Sequence, residues 1–272
     1  MRAAGALRIA VARDVSMREL LDNIMWNALT GAHAKFAAGA GSARRYARGF
    51  SPIVGFRDPE HPDLAALAPF CEPNEQFYCD IWSGPAPADC RILREATMIK
   101  MLWEGPVPAV DEAPDAIALT VQHAEQAVEL AALTNPGPFG LRTVELGEYF
   151  GYFEGSRLIA MAGERTTAGT LREVSGICTH PHFQGRGLAR RLTSKLIRRQ
   201  MQRGETPFLH VMTANKTARS LYERMGFRNY RETVVRVIAL HATRYPAPSI
   251  DQNRSAPPSS PTASNSSDRR TP

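Results

Sequence analysis

The chain has 272 residues, 43% of them hydrophobic, and a formal net charge of +6. This length allows one large domain or two small ones with a buried core. No uninterrupted apolar stretch is long enough to cross a bilayer, so we expect no membrane span. The positive charge favours acidic ligands or nucleic acid, although the basic residues form no single long run.

The cysteines, Cys71, Cys79, Cys90 and Cys178, show no C-x-x-C spacing. The first ten residues are interrupted by Arg8 and lack the apolar centre of a signal peptide. We therefore expect reduced thiols, a cytoplasmic location and no metal site.

The first hundred residues predict a mixed set of short elements. Apolar residues at helical spacing predict a helix over 14–30, which Ser16 and Glu19 would begin with a capping box. Further elements are expected as a strand at 50–56, a helix at 63–68 and strands at 76–81 and 97–103. No motif with a recognisable chemistry occurs here. Residues 1–105 are therefore interpreted as a covering domain. The alternatives are that they contribute to a substrate pocket, or that they are a degenerate half-copy of the second domain.

The turn-rich segment 104–108 marks a boundary, and residues 113–243 predict a second domain. Its expected elements are strand 116–119, helix 121–133, short helix 141–146, strands 149–154 and 157–164, a turn at 166–169, strand 173–179, helix 188–202, strand 207–211, helix 215–226 and strand 227–239. This order predicts an α/β protein with helices packed on a mixed sheet. The residues 246–272, rich in Pro and Ser, are expected to form a disordered tail.

The clearest chemical signal lies in the stretch 173–189. An apolar strand is broken by Pro181, a turn containing Gly185 and Gly187 follows, and a helix begins at Leu188. A strand, a glycine turn and a helix in this order leave unpaired backbone N–H groups at the positive end of the helix, where phosphate binds. Because glycine has no Cβ, phosphate oxygens can approach the main chain closely.

Two motifs resemble those of the GNAT superfamily of N-acetyltransferases. The first is Gln184-x-x-Gly187-x-Ala189, which is similar to the family's pyrophosphate-binding motif Q/R-x-x-G-x-G/A. The second, N-x-x-A-x-x-L-Y-x-x-x-G-F, begins at Asn215. The resemblance covers residues 113–240. It implies the GNAT acyl-CoA acyltransferase fold, an α+β mixed sheet whose fourth strand splays from the fifth, with a degenerate or covering N-terminal domain before it.

The resemblance also implies acetyl-CoA as the cosubstrate, held without a metal. Its diphosphate would lie on the amides of the glycine loop, and its pantetheine arm and acyl oxygen on backbone groups of the fourth strand. The implied cofactor-binding residues are Ile177, Cys178, Thr179, Gln184, Gly185, Arg186, Gly187, Leu188, Ala189 and Asn215. Arg190 is placed to assist Arg186, whereas most other basic residues of the helix are interpreted as a solvated face. For Asn215 the alternative is a simple N-cap.

Acetyl transfer to an amine also needs a base and an acid. The resemblance implies Glu173 as the candidate base, because some family members carry a catalytic Glu on the same strand and Glu173 stands eleven residues before Gln184. It should share one strand face with Ser175 and Ile177, and partial burial would raise its pKa. Its alternatives are an ion pair with an arginine such as Arg172, and a water chain that replaces the carboxylate. Tyr222 matches the family's tyrosine that protonates the CoA sulfur, with a packed aromatic residue as the alternative.

The acceptor site has fewer candidates. His210 lies on the fifth predicted strand and could line it. Phe139, Gly140 and Tyr149 would give the pocket an apolar wall, but they do not identify the acceptor.

Three residues are not assigned a metal-binding or nucleophilic role. His180 and His182 flank a proline, but two histidines alone do not make a zinc site. Cys178 should alternate away from Ile177 into the core, which makes it a poor nucleophile.

The leading hypothesis is an acetyl-CoA-dependent N-acetyltransferase that acetylates a primary amine of an unidentified acceptor by direct attack. The alternative is a non-catalytic acyl-CoA-binding sensor or regulatory module. A nucleic-acid-associated protein is suggested by charge alone, without a stacking surface to support it. The expected partners are acetyl-CoA and an amine-bearing acceptor, with neither specific nucleic acid nor a membrane. The sequence leaves the oligomeric state open, a dimer included.

Overall fold

The computed structural model describes residues 17–240. Ser16 of the expected capping box and the expected tail at 246–272 lie outside these residues. Within the described range, no helix combines the length and the apolar character that crossing a membrane requires.

The N-terminal part consists of helical turns around a small sheet. Residues 17–22 are helical, and helix α1 follows at Ile24–Thr30. Strands β1 (Ala37–Ala38), β2 (Ala43–Tyr46) and β3 (Val54–Phe56) form an antiparallel sheet in that order. Helix α2 (Leu64–Leu67) begins after Asp63, whose side chain accepts a hydrogen bond from the Ala66 amide at 2.9 Å.

A mixed eight-stranded sheet runs through the part of the chain that the structure describes. The strands are β4 (Gln76–Asp80), β5 (Cys90–Trp103), β6 (Ile117–Ala118), β7 (Tyr149–Glu154), β8 (Arg157–Ala168), β9 (Leu171–Thr179), β10 (Thr206–Met212) and β11 (Phe227–Leu240). They lie in the order β4-β11-β5-β10-β9-β8-β7-β6. The β9–β10 pair is parallel, and the other neighbouring pairs are antiparallel.

Helices cover both faces of this sheet. They are α3 (Ala124–Thr134), α4 (Leu188–Gln202) and α5 (Lys216–Met225), in addition to α1. Helices α4 and α5 pack on one face, where Leu196 and Tyr222 join Val174 and Val211 in a buried cluster. Helices α1 and α3 pack on the opposite face, in clusters that include residues of β8 and β9. An α/β fold with a mixed sheet is thus confirmed.

The large sheet takes strands from both sides of the boundary that the sequence suggests at residues 105–113. Strand β5 lies between β10 and β11, and β4 pairs with β11 at the edge. The pairing of β5 with β11 extends from Trp103 opposite Phe227 to Cys90 opposite Leu240. The division into two domains stays a prediction, and any such division has to cut through a shared sheet.

One predicted turn is wrong. Residues 166–168 continue strand β8, and Ala168 pairs with Leu171 of β9. Thr166 and Thr167 are β-branched, which favours a strand, and their side chains are buried. Gly169, with φ of 56°, supplies the left-handed residue that the tighter turn needs.

Candidate active site

The glycine loop connects β9 to α4 and lies at the protein surface. Gly185 and Gly187 have φ of 77° and 75°, in the left-handed region where glycine is favoured. A Cβ built on either residue would meet no atom within 4 Å, so the space above the loop is open. A ligand can therefore reach the main chain at both glycines.

The loop amides face that open space. Among the residues the structure describes, none accepts a hydrogen bond from the backbone N–H groups of residues 185–190. The first amide of this helix with a backbone partner is that of Arg191, which donates to Gly187 O at 3.0 Å. Helix α4 has no side-chain cap at Gly187. Free donors and the positive helix end together suit the pyrophosphate of acetyl-CoA.

Most basic residues of α4 are tied to the segment 108–115. Arg190 pairs with Glu112, Arg191 with Asp115 at 2.8 Å, and Lys195 with Asp111 at 2.5 Å. The interpretation as a solvated face is wrong for Lys195, which is buried, whereas Arg190 and Arg191 keep part of their surface in solvent while compensating acidic side chains of that segment. Arg186 instead lies over the ring of Phe183, 4.7 Å from its centroid.

Strands β9 and β10 diverge near the start of β9, the strand that leads into the glycine loop. They pair only from Leu171 opposite Thr206 to Glu173 opposite Phe208. Beyond these residues β10 keeps only its pairing with β5, and β9 keeps only its pairing with β8. A β-bulge in β9 places Gly176 and Ile177 opposite the single residue Ala162, and Gly176 has φ of 62°.

A cavity of about 250 Å³ occupies the gap between the two strands. Its lining includes Tyr78, Arg94, Arg165, Ile177, His210 and Tyr222. Tyr222 packs with Val211 on the α4–α5 face. His210 alternates with Val211 along β10 and follows Phe208, which packs with α1 on the opposite face. The cavity thus passes through the sheet and has a different set of polar groups on each face.

The expectation that Glu173, Ser175 and Ile177 share one face is wrong for Ile177. Ile177 packs in the same cluster as Val174, on the α4–α5 face. The physical reason is the bulge, because one extra residue in a strand reverses the alternation of the side chains that follow. Cys178 is consequently buried among residues of α3, and burial raises the pKa of its thiol to about 11.

Glu173 is only 1% exposed and is held by two partners. Arg165 Nη2 donates to Glu173 Oε1 at 2.7 Å, and Arg165 Nε donates to Oε2 at 3.2 Å. Burial by itself would raise the pKa of Glu173, but the charge of Arg165, with help from His210, outweighs it and holds this pKa far below its usual range. The expected raised pKa is therefore wrong. The alternative of an ion pair with an arginine is confirmed, but the partner is Arg165 and not Arg172, which pairs with Glu205 at 2.7 Å.

His210 is the second partner of Glu173. Its Nδ1 lies 2.8 Å from Glu173 Oε1, and its side chain is 7% exposed. The ring of Phe208 contacts it edge to face, with centroids 5.6 Å apart. Its Nε2 is buried and has no hydrogen-bond partner among the described residues.

Tyr222 lies on α5 and projects into the same cavity from the other face. Burial raises the pKa of its phenol above the ordinary value, so the hydroxyl is protonated at neutral pH. Asn215 also lines the cavity and caps α5, because its side chain accepts a hydrogen bond from the Ala218 amide at 3.1 Å. The cap uses its side-chain oxygen and leaves the amide NH₂ group for another partner.

The remaining sequence candidates lie around this cavity rather than in it. Phe139 packs edge to face on Tyr149, with centroids 5.7 Å apart. Gly140 packs against the backbone of Gly49 and Phe50. His180 Nε2 lies 2.7 Å from Arg157 Nη2, in a turn that its own side chain caps.

Sequence reasoning missed Arg165. The available signal was a charged pair, Glu164 and Arg165, that interrupts the apolar run of β8. Both side chains are buried, and a buried arginine requires a buried acid within reach.

A larger open hollow of about 760 Å³ lies elsewhere, beside Trp82 and β11. Its lining shares no residue with the glycine loop or with the cavity between β9 and β10. The smaller cavity is the one lined by reactive side chains, His210 and Tyr222, and by Ile177 of the strand that leads into the glycine loop.

Comparisons with known proteins agree with this geometry. Residues 149–237 match the model of the FR47-like protein family. The N-alpha-acetyltransferase RimI of Mycobacterium tuberculosis is 34% identical over 122 residues, which are 41% of this chain and 76% of the relative. A crystal structure of a GNAT-family protein from Novosphingobium aromaticivorans has a TM-score of 0.73 and 34% identity, and the match covers 81% of this chain and 98% of that one.

A more distant structure supports the fold alone. It is a GCN5-related N-acetyltransferase from Kribbella flavida, with a TM-score of 0.51 and 14% identity. The match covers 78% of this chain and 93% of that one.

Proposed function

Because this chain belongs to the GNAT family of acetyltransferases, we propose that it transfers the acetyl group of acetyl-CoA to a primary amine that enters the cavity between β9 and β10. The observation that carries this proposal is the glycine loop, whose amides at residues 185–190 have no partner among the described residues. These amides, with the start of α4, would hold the diphosphate. Gln184, Gly185, Arg186, Gly187, Leu188 and Ala189 are the proposed contacts there.

The pantetheine arm would follow the free edge of β9 toward the cavity. Backbone groups of Ile177, Cys178 and Thr179 lie where β9 has no partner on the β10 side. The NH₂ group of Asn215 is free to reach the arm from α5. A backbone amide that donates to the acetyl oxygen would stabilise the negative charge developing there, a contribution of about 3 kcal/mol for one well-placed donor.

The proposed reaction is direct attack. The amine nitrogen bonds to the acetyl carbon, and the C–S bond breaks. The Tyr222 hydroxyl gives its proton to the leaving sulfur, a role supported by its raised pKa and by its place in the cavity. Glu173 is held too acidic by Arg165 to take a proton from an ammonium ion itself, so its contribution to the base would be made through a neighbour.

The proposed acceptor class is based on the name of a relative and on the lining of the cavity. The M. tuberculosis relative is named an N-alpha-acetyltransferase, so the α-amino group of a peptide is our first candidate acceptor. Residues up to 105 would cover the acceptor side, since Tyr78 and Arg94 of that segment line the cavity. Their presence supports a substrate-binding contribution from the N-terminal part.

The test is thiol release from acetyl-CoA by purified protein, measured over a panel of peptides with free N-termini, lysine peptides and small alkylamines. We expect amine-dependent release and a matching acetylated product by mass spectrometry. Tyr222→Phe should lower kcat by about 100-fold, the scale of one general acid, with an unchanged Kd for acetyl-CoA by calorimetry.

Two outcomes would contradict this proposal. Tight acetyl-CoA binding without release for any amine would favour a non-catalytic acyl-CoA sensor. Equal losses of kcat and of acetyl-CoA affinity in Tyr222→Phe would remove the acid role of Tyr222.

A further inference from the structure

The cavity contains a histidine, His210, whose tautomer is selected by its hydrogen-bond partner. Glu173 is ionised, so its carboxylate oxygens can only accept hydrogen bonds. The close contact of 2.8 Å between His210 Nδ1 and Glu173 Oε1 therefore requires that Nδ1 carries a proton and donates it. In the neutral ring, Nε2 is then the nitrogen with a free lone pair.

That lone pair has no protein partner. Nε2 is buried, and no group among residues 17–240 donates to it. A buried acceptor without a donor is unfavourable unless a ligand or a water completes it. His210 lines the cavity on the face opposite Tyr222, so an amine that enters from the acceptor side would meet Nε2.

We infer that His210 Nε2 is the base that deprotonates the acceptor amine, and that Glu173 is a positioning residue that holds the imidazole in the required tautomer. This inference rests on the proposed function and supplies the base that it leaves unnamed. Arg165 fixes the carboxylate on its other side and keeps it ionised. The arrangement resembles the way a buried carboxylate orients a catalytic histidine in hydrolases.

The proton and electron balance is as follows. The incoming ammonium ion gives one proton to His210 Nε2, directly or through one water, and the freed nitrogen lone pair bonds to the acetyl carbon. As the C–S bond breaks, the sulfur takes the Tyr222 proton. The nitrogen then loses its second proton to the Tyr222 phenolate, and the imidazolium releases its proton to solvent.

The charges around the imidazole come from several elements. They are Lys100 on β5, which lies opposite His210 in register, Arg165 on β8, Glu173 on β9, Tyr222 on α5, and Tyr78 and Arg94 at the cavity wall. Lys100 is compensated by Asp80 at 2.9 Å, and Arg165 by Glu173. The two buried ion pairs compensate the neighbouring charges and leave His210 Nε2 as a buried acceptor of the cavity without a partner among the described residues.

The decisive variant is His210→Asn, because the asparagine amide can still donate to Glu173 while Nε2 is removed. With the amine that the panel acetylates fastest, we expect kcat to fall by about 100-fold or more, the range of a general base. The acid-side inflection of kcat/KM against pH should disappear, and the Kd for acetyl-CoA should change less than about twofold. The control is His61→Asn, whose side chain is 81% exposed and pairs with Asp58; it should leave the pH profile unchanged.

Glu173→Gln separates the positioning role from a direct base. Its amide oxygen can still accept from Nδ1, but its charge no longer stabilises the imidazolium, so the inflection should move to lower pH and kcat should fall less than in His210→Asn. A larger loss in Glu173→Gln, with the inflection intact in His210→Asn, would overturn the inference and make Glu173 the base.

Nitrogen NMR of the labelled protein tests the tautomer without any acceptor. We expect a protonated Nδ1 and a bare Nε2 for His210 at neutral pH, assigned by comparison with His210→Asn. A protonated Nε2 would overturn the inference even if the enzyme is active. Absence of turnover with every amine would instead remove the proposed function on which the inference rests, so the two failures are distinguishable.

Discussion

Glu173 is a full negative charge placed where almost no water reaches it. The buried carboxylate is stabilised by Arg165, which donates two hydrogen bonds to it, and by His210. Removing one partner of such a buried pair leaves an uncompensated charge, whereas the intact pair adds little net stability. The pair is therefore better explained by the orientation it gives to His210 than by its contribution to folding.

We predict that Arg165→Met lowers the free energy of unfolding by about 3–5 kcal/mol at pH 7.5, the usual cost of breaking a buried pair. In the wild type the depressed pKa of Glu173 contributes stability above the unfolded value of about 4.3, and this contribution is lost as pH falls below it. In the variant, burial without Arg165 should raise that pKa, so acid protonates the carboxyl and relieves the cost. The difference between the two proteins should shrink from pH 7.5 to pH 4.

Urea unfolding at both pH values measures this difference. Arg142→Met is the control, because it removes the exposed pair with Glu145 and should change stability little at either pH. A difference between wild type and Arg165→Met that is constant with pH would show that Arg165 acts through packing and not through the charge of Glu173.

At the scale of elements, the junction of β9, the glycine loop and α4 combines two irregularities. The bulge at Gly176 and Ile177 and the divergence of β10 open the sheet. The left-handed glycines then turn the chain so that α4 starts with its amides exposed. A strand that ends its pairing early and a helix without a cap would each be unfavourable alone, but a bound thioester carrier would satisfy both.

The loop offers a matched pair of glycines for a test. Gly187 and Gly204 lie at opposite ends of α4, both have φ of 75°, and a Cβ at either meets nothing within 4 Å. Gly187→Glu should weaken acetyl-CoA binding about 100-fold or more, a cost of about 2.7 kcal/mol, because it places a carboxylate where the diphosphate would lie. Gly204→Glu carries the same backbone strain and should leave the Kd within about twofold.

Isothermal titration calorimetry measures the Kd of both variants for acetyl-CoA and tests whether the loop binds the diphosphate. Equal affinity for acetyl-CoA in Gly187→Glu and in the wild type would remove the loop from the binding site. Equal losses in both variants would mean that the helix as a whole, and not the loop, had been disturbed.

At the scale of the whole molecule, the N-terminal segment is built into the main sheet. Strand β5 is paired on both sides by strands of the later segment. Lys100 of β5 pairs with Asp80 of β4 and donates to the Leu21 carbonyl at 3.1 Å, which ties the N-terminal helical turns to two strands of the sheet. Shared pairing of this kind couples the segments energetically, so that neither keeps its hydrogen bonds if the other unfolds.

We therefore predict a single cooperative unfolding transition. Trp26, Trp82 and Trp103 all precede residue 105, so tryptophan fluorescence reports on the N-terminal segment and, through the contact of Trp103 with Phe227, on its junction with β11. Circular dichroism in the far ultraviolet reports on the whole chain. The two midpoints in urea should coincide, whereas a separate fluorescence transition would support two independently folding domains divided near residues 105–113.

The local features of this protein are readable from its sequence. The glycine loop, the N-cap at Asn215, the hairpin between β7 and β8 and the helix from Leu188 to Gln202 each depend on residues a few positions apart. Glycine, proline, capping side chains and apolar periodicity act over that range. The two motifs were sufficient to predict the family, which the comparisons confirm, and the mixed sheet with packed helices.

The partners and the ionisation of Glu173, on the acceptor side of the cavity, depend on the tertiary structure. The partner of Glu173 is Arg165 on the neighbouring strand and not the adjacent Arg172, and His210 comes from a strand 37 positions away. The bulge that turns Ile177 to the other face is visible only in the pairing with β8, and the place of β5 only in the order of the strands. Strand neighbours and register depend on contacts between distant residues, which no short pattern encodes, and the ionisation of a buried group follows from those contacts.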